Sequence, residues 1–168
     1  QYPSTPELVQ KLTGGQAAEV LWNRNARAED FTTVRLGLGR MDISSMIRTP
    51  AVRFSIRSDE LEEQPAKLKA DYQTILQIPS LLCIGQHKLT GIIGEQARVQ
   101  EVVRNIILQL AMLHSYTDVR LIGLFREDEQ ELFSWLRWLP HVFSPDKSHR
   151  LLACSEADYQ AVLSYLLD

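Results

Sequence analysis

What this chain lacks narrows its class before any motif is considered. No stretch approaches the roughly 20 consecutive apolar residues that a membrane span requires, and the opening QYPSTPELVQ has neither the basic nor the apolar region of a secretory signal. Cysteine is scarce: Cys83 in SLLCIG and Cys154 in RLLACS each lie in an apolar run, and no CxxC occurs. That favours buried free thiols in a reducing compartment over a disulfide or metal role, so the piece read alone is cytoplasmic. Basic residues are not in excess either, at 18 Lys and Arg against 21 Asp and Glu, and Arg35, Arg40, Arg48, Arg53 and Arg57 are scattered. Nucleic-acid binding by bulk electrostatics is therefore not supported.

What is present is apolar material. Hydrophobic residues make up 45% and charged ones 23% of 168 residues, which is enough burial to offset chain entropy for one folded domain with an appended arm. Residues 1–50 read as the N-terminal arm or subdomain, and 51–168 as an α/β domain. In the arm, STPE offers Thr5 as a helix cap before Pro6, or Ser4 and Glu7 as a capping box, with Gly14 and Gly15 as the stop. A second short helix is expected over about 16–23. TTVRLGLG alternates Val34, Leu36 and Leu38 with Arg35, Gly37 and Gly39, the pattern of a strand with one wet face.

AVRFSIR repeats that pattern with Val52, Phe54 and Ile56, as an edge or antiparallel strand. A charged helix is expected between Asp59 and Gln77, with Leu61, Leu68, Tyr72, Ile75 and Leu76 on one face and the acidic DELEE at its start. SLLCIG and LTGIIG, separated by Gln86, His87 and Lys88, read as a hairpin. A long helix follows over about 96–113, carrying Val99, Val102, Val103, Ile106, Ile107 and Leu110 on one stripe. DVRLIGLF and RLLAC read as strands buried on both faces, separated by a helix over DEQELFSWLRWLP that Pro140 stops. Ser155 and Asp158 box the start of a last helix, whose Ala157, Val162, Tyr165 and Leu166 can pack inward. The alternation over 89–168 predicts a right-handed α/β layer on a parallel sheet.

The turn LTGIIGEQARVQ stands where a phosphate-binding loop would sit. A working loop needs glycines so that backbone N–H groups converge on the phosphates, a lysine for the β and γ oxygens, and a Ser or Thr hydroxyl for magnesium. With Gly91 and Gly94 as the early glycines, Gln96 falls where the last glycine belongs, Ala97 on the lysine and Arg98 on the hydroxyl. Glu95 would repel a polyphosphate at the helix mouth while being stabilised there by the helix dipole. The favoured reading is a strand-to-helix turn capped by its own acidic side chain. Weak anion or nucleotide binding through the remaining N–H groups and Arg98 is the alternative. DVRLIGLF ends in Phe125 and Arg126, not in the acid that orients water or holds metal, and Glu127 and Asp128 suit the first turn of the next helix. Other candidates are weaker. His114 and His141 have no second ligand at HxxxH or HxxE spacing and read as packing or loop residues, His87 and His149 as exposed. Ser115 and Ser134 lack a nucleophile-elbow context. Trp135 and Trp138, three apart, are expected on one side of their helix, in the core or as an aromatic docking surface for another domain, and Trp22 with Phe31 could pin the arm to the body.

Several segments together carry a resemblance. VLWNRNARAEDFTTVRLGLG, LTGIIGEQARVQEVVRNIILQLAMLH, QLAMLHSYTDVRL and WLRWLPHVFSP are similar to the first cytosolic ATPase-like domain of the EccC/EssC family, the membrane-anchored FtsK/SpoIIIE-type motors of type VII secretion. The match extends over most of the chain from about Val20. It implies a P-loop-NTPase-like (Rossmann-like), mostly parallel sheet flanked by helices, with an antiparallel edge and a decayed phosphate loop at Gly91, Gly94, Glu95, Gln96, Ala97 and Arg98. The chain stops one strand and one helix beyond LPH, short of the strands that should complete such a sheet, which points to an incomplete domain. The implied role is a non-catalytic or weakly active module that couples the membrane portion to downstream ATPase domains, on the cytoplasmic side of the bacterial cell membrane. No cofactor is expected for this piece, and no metal site; ATP with magnesium belongs to the parent ATP-driven translocase. Implied partners are other domains of the same motor and type VII membrane components, with secreted substrates and a homo-hexameric assembly as further candidates. Two alternatives stand beside this: an ATPase domain active only when complete or assembled, and an unrelated α/β ligand-binding domain.

Overall fold

The computed structural model describes residues 2–42 and 60–167, without the side chains of 60–63. The strand expected at AVRFSIR and the side chain of Leu61 lie outside the described residues. In the arm, α1 (Thr5–Thr13) starts with the expected box: Ser4 Oγ accepts from the Glu7 N–H, and the Glu7 carboxylate accepts from the Ser4 N–H. Gly14 ends it by donating its N–H to the Gln10 carbonyl. α2 (Ala17–Val20) is shorter than the sequence suggests. Leu8 of α1 is fully buried in a cluster with Val20, Met112 and Leu113, so the arm is held by ordinary apolar packing.

The largest sheet is an antiparallel ribbon of β1 (Thr33–Asp42) and β2 (Thr74–Cys83), running from the pair Thr33↔Cys83 to Asp42↔Thr74. Two sequence expectations are corrected here. The charged helix, α3, covers Glu60–Asp71 and does not reach Gln77; Ile75 and Leu76 lie on β2 instead of a helix face. SLLCIG does not form a hairpin with LTGIIG, because Ser80–Cys83 are already paired with β1. A single 3-10 turn over Ile84–Gln86 uses up the residues that would have made the hairpin's turn. The ribbon accommodates its length through irregularities in register, one of which leaves Gln77 unpaired with φ 61°.

The long helix α4 (Gln96–Leu113) has the bounds its apolar spacing predicts. Its burial is uneven, since Gln109–Leu113 are buried while Val99, Val102 and Val103 are only half-buried. Beyond it, β3 (Gly123–Leu124) and β4 (Leu152–Ala153) pair in parallel, a short version of the buried strands expected from DVRLIGLF and RLLAC. The strand is extended by bonds outside the ladder, from Leu121 N–H to the His141 carbonyl and from Phe125 N–H to the Ala153 carbonyl. The helix expected over 127–139 is broken into a 3-10 turn (Glu127–Glu129), α5 (Gln130–Phe133) and another 3-10 run (Ser134–Trp138). The break turns Trp138 outward, 78% exposed, while Trp135 stays half-buried, so the two indoles do not share one side.

The final helix, α6 (Glu156–Leu167), opens with the Ser155/Asp158 box and buries Val162, but Ala157 and Leu166 remain exposed. The chain is thus α/β, with two small sheets among the described residues. LTGIIG, expected as the first strand of the parallel sheet, belongs to neither. Replacing Leu8 by Ala empties the centre of the arm cluster, and should cost roughly 3 kcal/mol; urea unfolding followed by tryptophan fluorescence measures it, and the surface change Val9→Ala serves as the near-neutral control.

Candidate functional site

The turn before α4 is a bare entry into the helix, since residues 89–95 form no strand. Glu95 occupies the N-cap with extended backbone (φ −60°, ψ 134°), and its carbonyl accepts from Val99 N–H to start the helix. Its side chain makes no cap hydrogen bond, so the expectation that the helix end is capped by its own acid is corrected. An extended N-cap followed at once by Gln, Ala and Arg offers no Ser, Thr or Asp oxygen to the first amides. Gly91 and Gly94 do not adopt left-handed backbone, and a Cβ on Gly94 would meet Val99 Cγ2 at an ordinary 3.6 Å. Neither glycine is forced by the backbone into the nest of converging N–H groups that holds phosphate.

The six residues of the loop are brought together in space as they are in sequence, and all are exposed. The Arg98 side chain is 79% exposed and lies 3.9 Å from Glu101, on the outer face of α4. Ala97 supplies no charge where the ammonium belongs. Among the described residues, no group of three or more His, Cys, Asp or Glu is placed to hold a metal ion. Gln96, Ala97 and Arg98 supply neither the ammonium nor the hydroxyl with which a phosphate loop holds a magnesium triphosphate. Behind the turn, an apolar cavity of about 620 Å³ separates Ile92–Gly94 from β3, with Val99, Val103 and Ile107 of α4 as its floor.

At the other end of α4 sits a polar junction that sequence reasoning placed only as packing histidines. His114 is fully buried. Its Nδ1 lies 3.2 Å from the Leu110 carbonyl, and its Nε2 accepts the Thr32 N–H at 3.1 Å. A carbonyl can only accept, so Nδ1 carries the proton and the ring is neutral. His141 Nε2 lies 2.9 Å from the His114 carbonyl and by the same logic is protonated there, leaving Nδ1 buried without a partner. Burial lowers both pKa values, against the raising effect of those carbonyls; Arg24 and His141 lower His114 further, and Asp30 raises it.

The arm is stitched to this junction by backbone and side chain together. Trp22 N–H donates to the Met112 carbonyl, its indole N–H to Ala111, and Arg24 N–H to Leu113. Phe31 meets the His114 ring edge-on at 5.1 Å, so Trp22 and Phe31 both pin the arm, as the sequence suggests. Gln109, which no sequence pattern singled out, closes a two-bond ring with the Arg35 backbone: Arg35 N–H to Oε1 at 2.8 Å and Nε2 to the Arg35 carbonyl at 2.7 Å. A buried amide in an apolar helix stripe was the available signal. His87 and His149 are exposed as expected, with His149 stacked on Tyr165. Cys83 and Cys154 are free and half-buried.

No protein-family model matches this chain. Among curated proteins, it is 28% identical over 149 residues to the ESX secretion system protein EccC of Geobacillus thermodenitrificans, covering 88% of this chain and 10% of that protein. It is also 28% identical over 141 residues to the type VII secretion system protein EssC of Staphylococcus aureus strain MSSA476, covering 84% of this chain and 9% of the relative. The same figures hold for EssC of strain NCTC 8325. The chain thus spans about a tenth of the length of the curated relatives it matches.

The neutral histidine pair sets a pH dependence. In the unfolded chain, both rings bind protons below about 6.5, whereas the folded chain resists protonation, so the unfolded state carries the excess protons and stability falls with falling pH. Thermal midpoints measured from pH 8 to pH 4.5 should therefore begin to drop near pH 6.5. His141→Phe should flatten part of that drop, because it also removes the unpartnered Nδ1.

Proposed function

The chain belongs to the EccC/EssC family of type VII secretion proteins, and from that premise we propose that it is an ATPase-like module without a reaction of its own. In this reading it passes force or conformation between the membrane portion of a secretion motor and downstream ATPase domains, working on the cytoplasmic side of the bacterial cell membrane. Its partners are other domains of that motor and the membrane components of the secretion system. Secreted substrates and further copies in a hexameric assembly are proposals of the same kind.

One observation carries the non-catalytic part of the reading. The turn at Gly94 retains the corner between an apolar segment and a long helix, but each group that would meet a triphosphate is absent or turned away. Ala97 stands in the lysine's place, Arg98 lies outward beside Glu101, and Glu95 puts a carboxylate at the helix mouth. A triphosphate carries several negative charges, and a helix terminus contributes the equivalent of only about half a positive charge. Against Glu95, that is too little to hold a nucleotide at cellular concentration.

The second reading, an ATPase active when complete or assembled, draws on one feature: the first amides of α4 have no side-chain cap and remain available to an anion. The two readings separate cleanly. Titrating Mg-ATP into the chain by calorimetry should give no binding tighter than roughly millimolar, and Arg98→Ala should change nothing. Low-micromolar affinity lost in Arg98→Ala would overturn the non-catalytic reading and favour the second.

A further inference from the structure

Thr32 holds a backbone conformation that its own side chain opposes. Its φ is 61°, in the left-handed region where a β-branched residue is an outlier. The turn Asp30–Thr33, closed by the Thr33 N–H on the Asp30 carbonyl, puts Thr32 third, where glycine or asparagine normally supplies positive φ. Such a conformation persists only where its surroundings hold it, and every polar group of Thr32 is held. Its N–H donates to His114 Nε2 at 3.1 Å, and its carbonyl accepts from the Ile84 N–H at 3.2 Å. Its hydroxyl donates to the Phe31 carbonyl at 2.6 Å while accepting from the Gly85 N–H at 3.0 Å.

Thr32 and Ile84 flank the terminal pair of the ribbon, Thr33↔Cys83, so these bonds fasten the base of β1 and β2 to the end of α4. The fit is close: a Cβ on Gly85 would lie 2.6 Å from Thr32 Oγ1. Of the groups that hold Thr32, the imidazole is the one that titrates near neutral pH, and a charged ring carries an N–H on both nitrogens. Protonation therefore sets a second donor against the Thr32 N–H and removes the acceptor that offsets the strain. The charged and titratable groups bearing on the ring are Arg24 and Asp30 from the arm and His141 from the Pro140–Val142 turn. Burial, Arg24 and His141 oppose a positive charge there, while Asp30, 3.5 Å from Arg24, favours it.

We propose that His114, Thr32 and Gly85 form a proton-operated latch between α4 and the base of the ribbon, closed while the imidazole is neutral and opened by its protonation. On opening, Thr32 leaves the left-handed region, and the Ile84 and Gly85 amides lose their acceptors. The Leu8 cluster and the Gln109 bonds to Arg35 stay in place, so the opening is local and the fold is kept. Proton uptake sets the direction. The closed ring is held below its ordinary 6.5 and the open ring titrates near it, so falling pH favours opening.

Amide exchange of the 168-residue chain, followed by NMR at pH 7.5 and 5.5 and corrected for the intrinsic pH dependence of exchange, tests the latch. The Thr32, Ile84 and Gly85 amides should exchange through an opening that becomes about tenfold more frequent at the lower pH and is insensitive to dilute urea. Ile84 and Gly85 are decisive, because they bond to Thr32 and not to the imidazole. Gly123 and Phe125, bonded to the Leu151 and Ala153 carbonyls, should exchange more slowly and with the urea dependence of whole-chain unfolding. Gly85→Ala should speed exchange at Thr32 about fivefold at pH 7.5 by pushing on its hydroxyl, and His141→Phe should leave the pH response of the three amides in place. The proposal is overturned if those amides exchange only together with Gly123 and Phe125, or if their opening is equally frequent at both pH values. It is also overturned if Gly85→Ala leaves Thr32 unchanged, or if His141→Phe abolishes the response, which would assign the proton to His141.

Discussion

The docking of the arm on the end of α4 is organised by one uncharged side chain, the His114 imidazole. It uses both nitrogens, giving a proton to the turn of α4 that precedes it and taking one from the backbone of Thr32. Its own carbonyl then receives the proton of His141. Two segments distant in sequence thus meet on a ring that can serve both only while neutral, and a third docks on the backbone carbonyl of the same residue. A lysine or arginine there could not accept from Thr32, and an apolar residue would orphan a buried N–H.

The consequence is a helix with two characters. The last turns of α4 are clamped by apolar contact with Leu8 and Val20, by the Gln109 ring with Arg35, and by the histidine junction. The first turns have none of this: an N-cap without a side-chain bond, a stripe half in solvent, and a cavity where a strand would be expected. Stability within a fold follows local contact, so the arm-bearing end is the anchored one and the Gly94 end the adaptable one.

The parts that could be read from sequence are those whose cause is local. Ser4 with Glu7 and Ser155 with Asp158 are boxes of fixed spacing, and the α4 stripe repeats at the helical period for five turns, so their elements came out with the right bounds. SLLCIG and LTGIIG failed for the opposite reason. Adjacent apolar runs with a short polar spacer satisfy the hairpin pattern, but pairing is a competition, and TTVRLGLG, more than 40 residues upstream, took the first run. Ile75 and Leu76 fit a helix face or a strand equally well, and only the presence of β1 decides. At the site, the missing lysine and hydroxyl were visible as letters. The outward turn of Arg98, the uncapped Glu95 and the role of Gln109 depend on packing and were not.

The turn at Gly94 and the cavity behind it have a common physical logic. A loop that grips a triphosphate must be held in a strained, glycine-dependent nest, and the ligand's charge is what offsets the strain. Gln96, Ala97 and Arg98 bring neither an ammonium nor a hydroxyl to this place, and neither Gly91 nor Gly94 is held in left-handed backbone. The result is an apolar turn that leads directly into a long helix, with Leu89 and Ile93 almost fully in solvent and Ile92 and Gly94 beside a cavity over the half-covered stripe of α4.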